Sequence, residues 1–290
     1  MQTMAKLLVT TTPYCRTVIL NDMKKKGLKK SLRWFSVLIG VFIAIILIDI
    51  AILAMPGPFF PEKKQYRSII VYSEMSIGKE VDSIMTEVFK RLDAVPIYDP
   101  TRMYKLCLCS TQQKFTFFAR LTRRANRIMG FSLLGSAFVN IDFINELAVR
   151  TGGQPRYSSR EGSIVHVVTH ELMHGYITDI YGSFASRTLP EWKTEGYCEY
   201  GVNHFVAPRD IGYSIQERIE IYLDDSRWNA TSEVHRPHYL WGLMLEYLIN
   251  VRGFDFEKAM ADSVTKEDIY QAMMDWRKSL GKDNYPYNRD

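Results

Sequence analysis

The sequence predicts an α+β protein: one membrane-spanning helix near the N terminus, then a domain with a small sheet in its first half and helices in its second. Three observations predict this. An uninterrupted apolar run fills residues 34–55. Strand-like alternation is confined to residues 67–144, and helical periodicity dominates beyond residue 159. The chain has 290 residues, enough for one large domain or two modest ones with an ample core. It contains 47% hydrophobic and 24% charged residues and no repeat or low-complexity block, which excludes a solenoid or a long disordered tail.

Residues 1–33 are basic. Lys6, Arg16, Lys24, Lys25, Lys26, Lys29, Lys30 and Arg33 stand against a single acid, Asp22, for a segment charge of +7. The whole chain carries +5, and Asp49 supplies −1, so the remainder sums to −1. The folded part therefore has no positive excess to draw it to nucleic acid.

Residues 34–55 read WFSVLIGVFIAIILIDIAILAM. As a helix this run is roughly 33 Å long, matching a bilayer's hydrocarbon core. Asp49 costs about 3 kcal/mol at the bilayer centre and less away from it. Fourteen Ile, Leu, Val and Phe residues, at about −0.5 kcal/mol each, outweigh it. The basic flank predicts a cytoplasmic N terminus in the cytoplasmic (inner) membrane, with the rest of the chain outside. A cleaved signal peptide, cut after the ILA at 52–54, is the alternative. The length of the run and the closely following Pro56 and Pro58 favour an uncleaved anchor.

Residues 56–66, beginning PGPFFPEKK, read as a stiff linker, and residues 67–290 as the domain outside the membrane. RSIIVYSEM is a predicted strand. Ile77, Val81, Ile84, Val88 and Leu92 recur at helical spacing, and MYKLCLCS alternates as a strand. Phe115, Phe118, Ala119 and Thr122 share a helical face, although the Phe-rich centre also suits a strand. FSLLGSAFVNIDFI, residues 131–144, alternates again, with Gly135 as a bulge or bend. Ser158 and Glu161 have capping-box spacing for a helix that starts near Ser159 and stops at Gly182. A second helix follows Pro190, and helical patterns recur in YSIQERIEIYLDD, PHYLWGLMLEYLINVRG and TKEDIYQAMMDWRKSLG. Cys15 lies before the span; Cys107, Cys109 and Cys198 lie beyond it. An odd number of thiols implies no complete disulfide framework, and Cys107 and Cys109 read as small buried residues.

The stretch VVTHELMHGY, residues 167–176, falls inside the first of these later helices. His170 and His174 are four apart, so both imidazoles leave the same helix face and can reach one metal ion. Glu171 directly follows the first histidine. In an H-E-x-x-H arrangement that residue is the general base. The extended form H-E-x-x-H-x-x-G-x-x-H fails, because Ile177 and Ile180 stand where Gly and His are needed. The other ending, a glutamate on a following helix, is present: PEWKTEGYCEY supplies Glu195, with Glu199 one turn later.

HELMH followed by LPEWKTEGYCEY resembles the gluzincin branch of zinc metallopeptidases, which have thermolysin-like sites. It is most similar to membrane-anchored bacterial peptidases of the peptidase MA-like type, whose second helix reads W-x-x-E-G-x-x-x-Y. These motifs lie within residues 163–201. The resemblance implies a zincin-like domain with a small mixed sheet, one zinc ion, and a peptide or protein substrate. It implies His170, His174 and Glu195 as metal ligands and Glu171 as catalytic base. Glu199 matches an acid that hydrogen-bonds a ligating histidine; the family often has aspartate there, and glutamate is longer. The family takes an oxyanion donor, Tyr or His, from the helical half. HRPHYLWG offers Tyr239 first and His238 second, with His235 nearby; each also suits helix capping or core packing. The family's cleft is bordered by an edge strand, and GSAFVNIDF is the predicted counterpart. A membrane-tethered, non-catalytic protein with a structural zinc is the competing reading; an intact Glu171 speaks against it.

The remaining residues have plainer readings. His166 packs or supports a ligand, and His204 lies on the surface. Trp192, Tyr197 and Tyr200 belong to the core, and Asn229 opens an N-A-T sequon.

Overall fold

The computed structural model describes residues 13–120, 128–142, 144, 164–204, 214–226, 228, 236–261 and 263–280. The Ser158/Glu161 helix start, Thr122, Asn229 and His235 lie outside them, as does the side chain of His204. The chain divides into two compact units, residues 1–52 and 53–290. The described residues of the first form one helix, α1 (Pro13–Ala54), whose last two residues belong to the second unit. Its apolar part, Trp34–Ala54, is long and apolar enough to cross a membrane.

The second unit is α+β. Its first half is a five-stranded mixed sheet in the order β1-β2-β3-β5-β4. The strands are β1 (Glu62–Tyr66), β2 (Ile69–Ser73), β3 (Tyr104–Cys109), β4 (Gly130–Leu133) and β5 (Ser136–Asn140). β2, β3 and β5 are parallel, and β1 and β4 are antiparallel edges. Helix α2 (Lys79–Leu92) buries Val81, Ile84, Val88 and Leu92, in keeping with the periodicity of its sequence. Helix α3 (Gln112–Ala119) buries Phe115, Phe118 and Ala119, so the Phe-rich segment is a helix, capped by the Thr111 hydroxyl. Phe118 stacks on Phe138 of β5 at 4.7 Å. Cys107 and Cys109 are buried free thiols.

Two expectations are corrected. Residues 62–66 are not linker but the edge strand β1, paired from Glu62↔Ser73 to Tyr66↔Ile69. Its EKKQY sequence is polar because this edge strand is mostly exposed, and lysines there discourage further pairing. The unit in fact begins earlier. Leu53 is 2% exposed, Ser136 Oγ donates to the Leu53 carbonyl at 3.1 Å, and Lys105 Nζ donates to the Ala54 carbonyl at 2.6 Å. These bonds serve carbonyls that a helix end leaves without partners.

The second correction concerns residues 131–144. Residues 130–140 form a hairpin rather than one bent strand. Leu134 and Gly135 both have positive φ, 53° and 71°, the pattern of a two-residue I′ turn. The turn folds β4 back along β5. β5 is therefore paired on both sides, and among the described strands β4 is the edge next to it.

The second half is helical: α4 (Ile164–Tyr181), α5 (Glu191–His204), α6 (Ile215–Leu223), α7 (Arg236–Glu246, continued by a π turn at Tyr247–Val251), α8 (Phe256–Met260) and α9 (Lys266–Ser279). α4 is apolar on nearly every side and runs through the core against α2, β3, β4 and β5. Asp179 near its end takes Arg102 at 2.9 Å and the Tyr104 hydroxyl. α5 and α7 meet at backbone distance. A Cβ on Gly196 would lie 2.6 Å from the Trp241 carbonyl oxygen, and one on Gly242 would lie 2.9 Å from Glu199 Cβ. Lys193, fully buried, donates to the Ala261 carbonyl at 2.5 Å and ties α5 to the end of α8.

Candidate metal centre

His170 and His174 lie one turn apart in the middle of α4, and their Nε2 atoms are 3.2 Å apart. Glu195, in the second turn of α5, places Oε2 3.1 Å from His170 Nε2 and Oε1 3.4 Å from His174 Nε2. Ligands arranged tetrahedrally at about 2.0–2.1 Å from an ion stand about 3.3 Å from one another. The three side chains predicted from the H-E-x-x-H motif and its downstream glutamate thus converge, each histidine meeting a different oxygen of Glu195 at about that spacing.

Glu199, one turn beyond Glu195, lies behind this triangle. Its Oε1 is 3.1 Å from His170 Nδ1, and its Oε2 is 3.4 Å from His166 Nε2. His166, His170, Glu171 and Glu199 are all buried. Burial pushes the carboxyl of Glu195 upward in pKa, but His174 and His170 overcome this and hold it far below the usual carboxylate range. Glu199 is likewise held low, by His166 and His170 acting against its burial. Burial drives the His170 pKa down, yet Glu195 and Glu199 carry it well above the ordinary value. The cluster therefore demands positive charge, which a proton or a metal cation can supply. With its geometry, this makes the buried His, Glu and Cys groups a set that could hold a metal ion.

Glu171 is on α4 beside His170 and His174, and its pKa is raised by burial, with His174 and His170 opposing. It presses on β4: a Cβ on Gly130 would come 2.7 Å from its Cγ and 2.8 Å from its Oε1. The absence of a side chain at residue 130 makes that approach possible.

These residues floor a cleft of about 1230 Å³. One wall is residues 128–135, which include β4 and its turn, and another is the α4–α5 connection from Ser183 to Leu189. The bordering edge strand is thus β4, not the predicted GSAFVNIDF strand, because β5 has both neighbours filled.

Of the two candidates on α7, His238 joins the site. Its Nδ1 is 3.7 Å from Glu195 Oε2, and its ring lies nearly parallel to that of His170, at 6.4 Å and 5°. Tyr239, the preferred candidate from sequence, is oriented differently. It points about 100° further round the helix and packs edge-on against Trp228, with ring centroids 4.9 Å apart. It does not line the cleft. Sequence reading gave Cys198 no part in the site, yet its sulfur, His170 and His174 bring ligand atoms within 4.8 Å of one another. The available signal was its position three residues after Glu195, on the same helix face.

No protein-family model matches the chain, and no curated protein matches it.

Proposed function

We propose that the protein is a membrane-anchored zinc metallopeptidase of the gluzincin type, with a zincin-like domain outside the cytoplasmic membrane. The observation that carries this reading is the 3.1–3.4 Å triangle of His170, His174 and Glu195 beside Glu171 on an open cleft. Two imidazoles and one carboxylate are the donor set of catalytic zinc, and they leave a position free for substrate. Zinc held there supplies Lewis-acid polarisation of the scissile carbonyl.

The chain's own residues do the rest. Glu171 accepts a proton from the attacking water and returns it to the leaving amine. Its raised pKa suits a group that must both take and give a proton. Glu199, with His166 behind it, fixes the ring of His170. His238 stands on the cleft side of Glu195 and is the group placed to stabilise developing negative charge on oxygen. β4 is an edge strand among the described residues and could offer its backbone to an extended peptide. A cleft of about 1230 Å³ is larger than a typical small-molecule site and suits a peptide or protein substrate.

The basic residues 24–33 support a cytoplasmic N terminus. The burial of Leu53 supports an anchor that remains attached, since cleavage after Ala54 would remove a core residue. The test is metal analysis of the purified full chain together with peptide hydrolysis by wild type and Glu171→Gln. Zinc in both proteins, with hydrolysis by wild type alone, is expected. Equal hydrolysis by the two would refute the mechanism.

A further inference from the structure

We propose that the metal centre has two competing third ligands on one helix, Glu195 from the cleft side and Cys198 from the core side. This rests on His170 and His174 being metal ligands.

Cys198 is three residues after Glu195, so both side chains leave the same face of α5 towards α4. The thiol is free and 0% exposed. Its sulfur lies within 4.8 Å of ligand nitrogens of both His170 and His174. An ion bound by two nitrogens at about 2.0–2.1 Å and one sulfur at about 2.3 Å needs nitrogen–sulfur separations of about 3.5 Å. Cys198 is therefore no more than about 1.3 Å outside ligand range, a gap that a small adjustment of α5 closes. Glu195 already stands at ligand spacing, so it holds the position for borderline ions. A thiophilic ion, or loss of the Glu195 carboxylate, shifts the balance to sulfur.

The exchange is a ligand substitution without change of oxidation state. The Cys198 S–H bond breaks, a sulfur–metal bond forms, and the metal–Glu195 oxygen bond breaks. The thiol proton passes to the released carboxylate.

The test uses the full chain loaded with Co²⁺ alone. Wild type should bind one cobalt per chain with no thiolate-to-metal charge-transfer band. Glu195→Gln should keep the cobalt and gain that band, and Glu195→Gln combined with Cys198→Ser should lose it again. Cobalt bound by Glu195→Gln without the band, or lost from it with helical content intact, would overturn the proposal. Should Glu195→Gln not fold, Cd²⁺ titration of wild type decides. A thiolate–cadmium absorption present in wild type and absent in Cys198→Ser supports the exchange, and its absence from both overturns it. Wild type that binds neither ion removes the metal reading itself, a result distinct from cobalt binding without sulfur.

Discussion

Glu199 Oε1 lies 3.1 Å from Nδ1 of His170, on the opposite side of the ring from the nitrogen that faces Glu195 and His174. A buried carboxylate thus stands at ion-pair distance behind the imidazole, while Nε2 on the other side faces Glu195 and His174. Replacement of that carboxylate by Gln or Ala should lower metal affinity on the order of 10–100-fold while the fold persists. Competition with a chelator of known affinity measures the loss directly, and unchanged affinity would show that the Glu199 contact does not orient the ring.

Glu171→Gln should leave zinc content at the wild-type level and reduce kcat on the order of 10²–10⁴-fold, the range lost with a general base. Metal analysis and turnover are to be measured on the same preparation. Loss of zinc along with activity would make Glu171 a contributor to binding instead.

Gly130→Ala probes the same group from the other side of the cleft. The added Cβ would come 2.7 Å from Glu171 Cγ, and the flexible glutamate yields more easily than the strand. The melting temperature should change little and zinc should be retained, while kcat falls because the carboxylate is displaced from its working position. A fall in melting temperature with kcat unchanged would contradict this.

His238→Ala should lower kcat on the order of 10²-fold or more with metal retained, the scale of a lost oxyanion donor. Tyr239→Phe should leave kcat near the parent value, because the ring that packs on Trp228 is preserved. Steady-state kinetics of the pair decide which residue of α7 works in the cleft. A large loss in Tyr239→Phe alone would reverse the assignment.

A chain that begins at residue 67 should unfold at a lower temperature than one that begins at residue 53. The shorter chain lacks Leu53, the Phe60–Phe118 stack and all of β1, and it exposes the edge of β2. Thermal unfolding of the two proteins in detergent-free buffer, with light scattering to detect association, measures the difference. Equal melting temperatures would mean that these residues add nothing to the fold.

The His–Glu cluster was legible because a helix converts spacing into direction. His170 and His174 had to share a face, and Glu195 and Glu199 had to repeat that pattern on the next helix. The α+β division was legible for a similar reason, since buried strands and helices carry different periods. What escaped was whatever those periods do not encode. β1 is a strand whose exposed residues alternate with nothing. The β4–β5 hairpin reads as one run because both strands alternate in phase, and only the positive φ of Leu134 and Gly135 separates them. Tyr239 and His238 are neighbours on α7, so the choice between them depends on the rotation of that helix against α5. That rotation is set by contact of Gly196 and Gly242 with backbone and side chain across the interface, and no one-dimensional pattern carries it. Cys198 was overlooked because a small buried thiol has an ordinary place in any core.

Leu53 and Ala54 end the apolar helix, and they are also the first residues gripped by the folded domain. Residues 61–65 are exposed, and from Glu62 onward they are laddered into β1. A cut within residues 62–66 would therefore break the ladder of an edge strand and uncover β2.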